Sequence, residues 1–398
     1  FEFSDLSFSN PTLSATLGAG YTGGNNLDLS GVLDAGDGFG SSVSLEGTKL
    51  AVGASSDDGY NNVNTNNWSS TGAVYLFSFD DLSFSNPIHR GTIGDSYTGA
   101  GDFDISVPFY SPTGIYGAGY GYGFGLGLAL DGNRLAVGMP WDYGTANDQP
   151  DFGAVHLFSF DDAIFSNPSL IGSIGHGYTD IYSLDVSNVL DTNDFSGSSV
   201  SLDGTQLAVG AYGDDGAGNG LSGSGAVYLF EFSDLSFSNP TLSATIGAGY
   251  TGGNNLDLSA VLDVSDFFGY SVSLDSTRLA VGAIFDDGAG NSLSASGAVY
   301  LFEFSGLSFS NPTLSATIGA GYTGGNNLDL SGILDFDDRL GYSVSLDGNR
   351  LAAGAVIDDG MGNGLFNSGA VYLFEFSDLS FSNPTLSATL GAGYTGGN

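Results

Sequence analysis

The chain has 398 residues, of which 44 are Asp or Glu and only six are Lys or Arg, so its formal net charge is −38. A polyanion repels nucleic-acid phosphates and anionic membrane surfaces, and we therefore expect no nucleic-acid partner. The chain has no Cys, so neither a disulfide framework nor a thiolate metal site is available. It also has no apolar run of about 18 residues, so no membrane insertion is predicted. The 65 Gly, 29 Phe and 20 Tyr combine turn formers with strand formers, which is typical of an all-β protein.

The sequence repeats itself. The run Gly-Ala-Val-Tyr-Leu-Phe begins at Gly72, Gly225, Gly297 and Gly369, and a variant with His begins at Gly153. The spacings are 81, 72, 72 and 72 residues. They predict five repeats and the start of a sixth, with a Tyr- and Gly-rich insert in the second. The repeats are residues 1–76, 77–157, 158–229, 230–301 and 302–373, and 374–398 begins the next.

Four strands are predicted in each repeat, and residues 230–301 show them in order. Pro240–Ile246 and Gly269–Leu274 alternate apolar and polar residues, as half-buried strands do. Arg278–Ala283 and Ala298–Phe302 are more uniformly apolar, which predicts burial on both faces between neighbouring repeats.

A tight hairpin is predicted between the second and third strands. Sister repeats carry Asp-Gly there, which favours a type I′ turn with positive φ at both central residues. A basic residue follows the turn, at Lys49, Arg134, Arg278 and Arg350. It can pair with Glu46, Asp131, Asp275 or Asp347 in an exposed ion pair worth at most about 1 kcal/mol.

These elements predict an all-β fold of tandem, four-stranded antiparallel blades, similar to a β-propeller, with five blades and one surplus strand. Residues 1–25 are identical to residues 374–398, so the sequence has a larger period of 373 residues. We expect the chain to be an excerpt of a longer array, or its surplus strand to complete a blade of the next copy. Both alternatives predict an open or polymerising assembly.

The repeats resemble the FG-GAP repeat, the blade motif of integrin α-subunit propellers and of many bacterial surface proteins. The "FG" element is matched by Phe39-Gly40, Phe124-Gly125 and Phe268-Gly269, and the "GAP" element by Gly53-Ala54, Gly138-Met139-Pro140, Gly210-Ala211, Gly282-Ala283 and Gly354-Ala355. The repeats are also similar to arrays in very large bacterial exoproteins, including cyanobacterial proteins of the filamentous-haemagglutinin type. That resemblance implies secretion and a role at the cell surface.

Calcium is the one cofactor that the sequence suggests. Family members that bind it use an Asp-rich loop between the FG and GAP strands, where this chain has its short Asp-Gly hairpin. Such a loop is too short to supply six or more oxygen ligands. Two other acidic motifs recur: Leu-Asp-x-x-Asp before the FG element, as at Asp263 and Asp266, and Asp-Asp-Gly-x-Gly-Asn after the GAP element.

The second motif has two interpretations. Its Asp and Asn residues can cap turns and adopt left-handed backbone, or they can bind one calcium ion in each repeat. The candidate calcium ligands are Asp214, Asp215, Asn219, Asp286, Asp287, Asn291, Asp358, Asp359 and Asn363.

The insert in the second repeat is the other candidate site, because aromatic loops can stack on sugar rings or seal a subunit contact. Its candidate ligand-binding residues are Tyr110, Tyr116, Tyr120, Tyr122, Trp141 and Tyr143. A catalytic site is not expected. The three His residues do not recur, and the carboxylates are spread over all repeats. The residue His156 replaces a strand Tyr, so a packing role is predicted for it.

The sequence therefore predicts an extracellular or cell-surface structural protein that forms or decorates a filament, sheath or adhesin stalk. Its predicted partners are copies of itself. The alternative is a propeller-type adhesin module that binds a ligand or surface glycans, with calcium as a cofactor.

Overall fold

The structure is a computed structural model that describes residues 12–60, 70–106, 123–145 and 151–394. These residues form an all-β fold with five β-propeller blades, each a small and mainly antiparallel sheet. The chain divides into two compact units, residues 1–192 and 193–398. The predicted fold class is confirmed.

The first unit contains blades 1 and 2, preceded by a short parallel pair, β1 (Leu17–Gly18) and β2 (Leu27–Asp28). Blade 1 comprises β3 (Phe39–Glu46), β4 (Lys49–Ala54), β5 (Ala73–Ser78), β6 (Ile88–Gly94) and β7 (Phe103–Asp104). Blade 2 comprises β8 (Leu128–Asp131), β9 (Arg134–Met139), β10 (Ala154–Ser159), β11 (Ser169–Gly175) and β12 (Leu184–Asp185).

The second unit contains blades 3, 4 and 5. Blade 3 comprises β13 (Ser199–Asp203), β14 (Gln206–Ala211), β15 (Ala226–Glu231), β16 (Thr241–Gly247) and β17 (Leu256–Asp257). Blade 4 comprises β18 (Phe268–Asp275), β19 (Arg278–Ala283), β20 (Ala298–Glu303), β21 (Thr313–Gly319) and β22 (Leu328–Asp329). Blade 5 comprises β23 (Leu340–Asp347), β24 (Arg350–Ala355), β25 (Ala370–Glu375) and β26 (Thr385–Gly391).

The four main strands of each blade are adjacent and antiparallel, as the sequence predicts, and the strands read from residues 230–301 agree to within one residue at each end. Blades 1 to 4 add a two-residue fifth strand that pairs in parallel with the fourth, for example β17 with β16. Two residues show no periodicity, so this strand could not be predicted from the sequence.

The blades and the sequence repeats are out of phase. Blade 4 extends from Phe268 to Asp329 and so crosses the repeat boundary between residues 301 and 302. The first strand of repeats 2 to 5, such as Thr313–Gly319 in the fifth repeat, is therefore the fourth strand of the preceding blade. The repeat boundaries describe the period of the sequence, while the sheets set the limits of the blades.

Within each unit, the core lies between consecutive blades. Strands β14, β15, β19 and β20 are buried almost throughout, which confirms the prediction for the uniformly apolar strands. Val227 and Leu229 of blade 3 share one apolar cluster with Val272 and Leu274 of blade 4. Burial of such side chains contributes about 1.5–3 kcal/mol each, so every blade depends on its neighbours for stability.

Two glycines set the spacing between consecutive blades. A Cβ at Gly282, in the GAP element of blade 4, would overlap the carbonyl oxygen of Gly341, in blade 5. Gly341 follows Leu340 at the position of the FG glycine and has a φ of +90°. Gly53 with Gly125 and Gly210 with Gly269 form the same contact in other blades. The FG and GAP glycines are therefore the two sides of one blade junction.

Hydrogen bonds repeat at the same junctions. The hydroxyl of Ser271 donates to the carbonyl oxygen of Gly341 (2.7 Å), and the backbone N–H of Leu346 donates to the hydroxyl of Ser273 (2.9 Å). Ser42 and Ser199 donate in the same way to the next blade, with distances of 2.6 and 3.0 Å. Each blade thus presents two different faces, one that donates these contacts and one that receives them.

The predicted basic residues do form the expected ion pairs, but three of them are buried. Lys49 pairs with Glu46 at 2.8 Å, and Arg278 pairs with Asp275. Lys49 and Arg278 are less than a tenth exposed and also donate to a backbone carbonyl of the next blade, that of Gly132 or Gly348. For these three basic residues the prediction of an exposed ion pair is wrong, because the blade that covers them is distant in sequence.

The prediction of a type I′ turn is wrong. Asp203 pairs with Gln206 in the ladder, so the two central residues are Gly204 and Thr205. Only the first has positive φ, at +59°, which is the pattern of a type II′ turn. The Asp belongs to the strand, and its carboxylate accepts the N–H of Ser276 in the next blade (2.7 Å).

Blade 4 has Ser276 where the sister turns have Gly, and its φ is +58°. We predict that Ser276→Gly stabilises the protein by about 1 kcal/mol. Removing the strain of a left-handed backbone at a non-glycine residue contributes about 1–2 kcal/mol. This gain exceeds the entropic cost of a more flexible unfolded chain, which is about 0.4–1 kcal/mol. Urea unfolding measures the difference.

The matched control is Gly348→Ser in blade 5, where φ is +57° and no atom lies within 4 Å of an added Cβ. This variant should lose a similar amount of stability. Equal stability of both variants with the parent would contradict the assignment of backbone strain.

Candidate functional site

The fold unites the two acidic motifs that the sequence presents separately. Asp263 and Asp266 precede β18, and Asp286 and Asp287 follow β19. Because β18 and β19 are antiparallel, with Phe268 opposite Ala283, both motifs lie at the same end of the blade. They line one cavity of about 580 Å³. An equivalent cavity of about 510 Å³ in blade 5 is lined by Asp335, Asp338, Asp358 and Asp359.

Two tyrosines hold the first Asp of the Asp-Asp-Gly motif. The hydroxyl of Tyr300 donates to Asp286 Oδ2 (2.5 Å), and the hydroxyl of Tyr322 donates to the same oxygen (2.9 Å). The N–H of Gly288 donates to Oδ1 (2.8 Å). Asp286 is buried, so these donors replace the water that a carboxylate would otherwise bind. Burial raises the pKa of the Tyr300 hydroxyl, and the charge of Asp286 adds to this.

The arrangement recurs with the same geometry. Asp57, Asp214 and Asp358 each accept hydrogen bonds from two tyrosines, at the equivalent positions. In blade 2, Tyr178 donates to Asp142 at 2.9 Å, and His156 takes the place of the strand Tyr. These clusters were not predicted from the sequence. The available signal was the constant separation of 22 residues between the two tyrosines of each cluster.

The predicted packing role of His156 agrees with its position. Its ring is fully buried, its Nδ1 lies 2.9 Å from the hydroxyl of Ser173, and it packs edge-on against Tyr178 at 5.8 Å between centroids. Burial lowers the pKa of this imidazole to about 3. The ring is therefore neutral at ordinary pH.

The other candidate calcium ligands occupy turns. Asp215, Asp287 and Asp359 each accept a backbone N–H from eight residues later, at 2.6–2.7 Å. Asn219, Asn291 and Asn363 have φ values of +53° to +55°, in the left-handed region that Asn tolerates. Within the described ranges, no group of three or more His, Cys, Asp or Glu side chains is arranged to hold a metal ion. Calcium binding stays a prediction.

One carboxylate in each cavity has a strongly raised pKa. Burial raises the pKa of Asp266 to about 7, and the charges of Asp286, Asp263 and Asp287 contribute further. Burial and the charges of Asp358, Asp335 and Asp359 likewise raise the pKa of Asp338 to about 6. Like charges held close together disfavour full ionisation, so these cavities take up protons near neutral pH.

This uptake links stability to pH. Because the folded pKa of Asp266 lies above its ordinary value of 3.8, the folded chain binds more protons than the unfolded chain between about pH 4 and 7. The contribution of Asp266 to the free energy of unfolding is therefore favourable at low pH within this window and falls as the pH rises. We predict that Asp266→Asn raises the melting temperature at pH 8 and flattens its dependence on pH between about 5 and 8.

The control is Asp257→Asn, at an exposed carboxylate whose pKa is lowered by hydrogen bonds from Ser259 and Gly249. That variant should be no more stable than the parent at pH 8. Calorimetric melting at several pH values tests both variants, and identical pH profiles of Asp266→Asn and the parent would contradict the assignment.

A second prediction concerns the tyrosine donors. Tyr300→Phe removes the shortest hydrogen bond that the buried carboxylate of Asp286 accepts, so it should destabilise the protein by about 1–3 kcal/mol. Tyr21→Phe, at a half-exposed tyrosine, is the control and should change stability little. Denaturant unfolding compares the two, and an equal effect of both would show that Tyr300 is not a structural donor.

The aromatic candidates fall into two groups. Tyr110, Tyr116, Tyr120 and Tyr122 lie outside the described residues. Trp141 and Tyr143 are half-buried on either side of Asp142, and the Trp141 ring lies where a Cβ of Gly123 would project. Binding of glycans by this set stays a prediction.

Comparison with known families agrees with the junction glycines and the strand order. The FG-GAP repeat family matches residues 33–77, 188–230, 262–302 and 335–374. Each match begins at a Leu-Asp-x-x-Asp segment and ends in the third strand of a blade. The chain therefore contains FG-GAP repeats, and the matched repeats form blades 1, 3, 4 and 5 of its β-propeller.

A search of curated proteins gave no match. Among solved structures, the Pseudomonas aeruginosa periplasmic gluconolactonase PpgL is similar, with 12% identity and a TM-score of 0.40. The alignment covers 89% of this chain and 72% of the gluconolactonase chain. The described residues contain no helix that could span a membrane.

Proposed function

We propose that this chain is an extracellular structural repeat protein whose blades build or decorate a surface filament, sheath or adhesin stalk. The observation that carries the proposal is the repeated blade junction. Blades 3 and 4, and blades 4 and 5, meet through the same glycine contact and the same serine hydrogen bonds. The junction joins two different faces, and a contact of this kind extends indefinitely unless it closes on itself.

The composition suits such a role. The net charge of −38 keeps a protein with many apolar strands soluble, and exposed Asp residues form the turns around each blade. The surface location rests on the resemblance of the repeats to those of large bacterial exoproteins. The carboxylate clusters recur from blade to blade, so the proposal includes no catalytic function.

A second candidate function has one observation in its favour. The acidic cavities of blades 4 and 5 are equivalent and each contains four carboxylates, a composition that suits a hard cation. A calcium-dependent adhesin module that binds a ligand or glycan is therefore the alternative.

The filament proposal predicts self-association that increases with ionic strength. Repulsion between polyanionic copies is screened when the Debye length falls from about 10 Å at 0.1 M salt to about 3 Å at 1 M. Sedimentation velocity and negative-stain microscopy of the purified chain should show end-to-end polymers that lengthen over this range. A monomer at every salt and protein concentration would contradict the proposal.

The same preparations distinguish the alternative. Calcium and a chelator should leave the polymers unchanged if the blade junction holds them. Binding to immobilised glycans that requires calcium, without polymers, would favour the adhesin module instead.

A further inference from the structure

Blade 5 exposes a face that is buried in the other blades of its unit. Val371 on β25 is 37% exposed and Leu390 on β26 is 39% exposed. Their equivalents in blade 4, Val299 and Ile318, are fully buried against blade 5. The same strand positions are therefore core residues in one blade and surface residues in the next.

Blade 1 exposes the opposite face. Val43 is 64% exposed and Leu45 is 49% exposed. Their equivalents in blade 4, Val272 and Leu274, are each 7% exposed because blade 3 covers them. We call the exposed surface of blade 5 the tail face and that of blade 1 the head face.

The junction glycines of these two faces also lack the contact with a neighbouring blade. A Cβ on Gly354 of the tail face would contact only Ser343 of its own blade, with the hydroxyl oxygen at 2.6 Å, whereas a Cβ on Gly282 would overlap the next blade. No atom lies within 4 Å of a Cβ on Gly40 of the head face. The head and tail faces thus present the two halves of the junction that the structure shows within the chain.

We propose that the tail face of one copy docks on the head face of a second copy through this same blade junction. The inference rests on the proposed function and identifies its contact. Equivalence with the internal junctions defines the contacts: the hydroxyl of Ser343 donates to the carbonyl oxygen of Gly40, the N–H of Leu45 donates to the hydroxyl of Ser345, and Gly354 packs on Gly40. Val371 and the leucine at the position of Leu390 cover Val43 and Leu45.

The segment before blade 1 specifies how the two copies join. Leu29 lies in the blade 1 core, and Leu17, Leu27 and Leu33 pack against it. Leu258 and Leu262 of blade 3 contribute in the same way to the core shared with blade 4. The segment of residues 12–34 therefore already occupies part of the place of a preceding blade.

This segment and β26 compete for one position in the docked pair. Residues 12–18 and Thr385–Gly391 have the same sequence, Thr-Leu-Ser-Ala-Thr-Leu-Gly. Docking places residues 12–18 of the second copy beside β25 of the first, in exchange for β26. Because the two segments have the same sequence, the exchange keeps the same residues paired with β25. β2 then supplies the parallel fifth strand that blade 5 lacks in the described residues.

Crosslinking between two single-cysteine variants tests the pairing, since the chain has no native Cys. Val43→Cys and Ser345→Cys, mixed as separate chains and treated with a short bis-maleimide, should give a heterodimer. Val43→Cys mixed with Leu307→Cys is the control, because Leu307 is 59% exposed but lies outside the tail face. Heterodimer in the control mixture alone, or in neither mixture, overturns the inference.

A pair of tail-face variants provides a second test. Ser343→Ala removes one hydrogen bond, worth about 1 kcal/mol, and should weaken association by about fivefold. The double variant Ser343→Ala, Gly354→Ala adds a methyl group that clears its own blade but overlaps the neighbouring carbonyl. Overpacking costs about 1–3 kcal/mol beyond the lost bond, so association should weaken by about 30-fold or more. Melting temperatures check that both variants fold.

The outcomes separate this inference from the proposed function. If polymers form but the double variant assembles like the parent, this junction is wrong and the filament proposal survives. If the parent chain does not associate at all, both fail. If the double-cysteine chain Val43→Cys, Ser345→Cys gives only a crosslink within one chain, the two faces close on each other and the docking of a second copy is overturned.

Discussion

The close approach of two glycines between consecutive blades is the constraint on which the rest of the structure depends. At Gly282 the neighbouring carbonyl occupies the space of a Cβ, and Gly341 provides it from a backbone with positive φ. This approach brings the serine hydroxyls of one blade within hydrogen-bond distance of the backbone of the next. It also allows the apolar strands to bury both faces. The main structural role of the FG and GAP glycines is therefore to set the distance between consecutive sheets.

The acidity of the chain is distributed between two environments. Exposed carboxylates such as Asp257 and Asp329 accept hydrogen bonds from nearby serines and glycines, which lower their pKa. Carboxylates such as Asp266 and Asp286 are buried together, and burial raises their pKa. The first group stabilises turns in its charged form, while the second keeps its charge only at a cost that the tyrosine donors offset in part.

The acidic candidate site is repeated in consecutive blades. Four carboxylates converge at one end of blade 4, and the same set converges in blade 5. A surface with equivalent acidic cavities at a fixed spacing suits a structural array or a multivalent ligand better than a single reaction centre. The blade junction, which is repeated with the same atoms, remains the feature most directly tied to the proposed assembly.

The repeat period, the four main strands of each blade and the burial of the inner two could be predicted without coordinates, because alternation and apolar runs are local properties that recur five times. The remaining features depend on how distant segments pack. Asp203 proved to lie in the strand, which made the turn type II′, and Asp286 proved to face two tyrosines 14 and 36 residues away. Such contacts join segments that are distant in sequence. They follow from the packing of the sheets, which no local sequence pattern specifies.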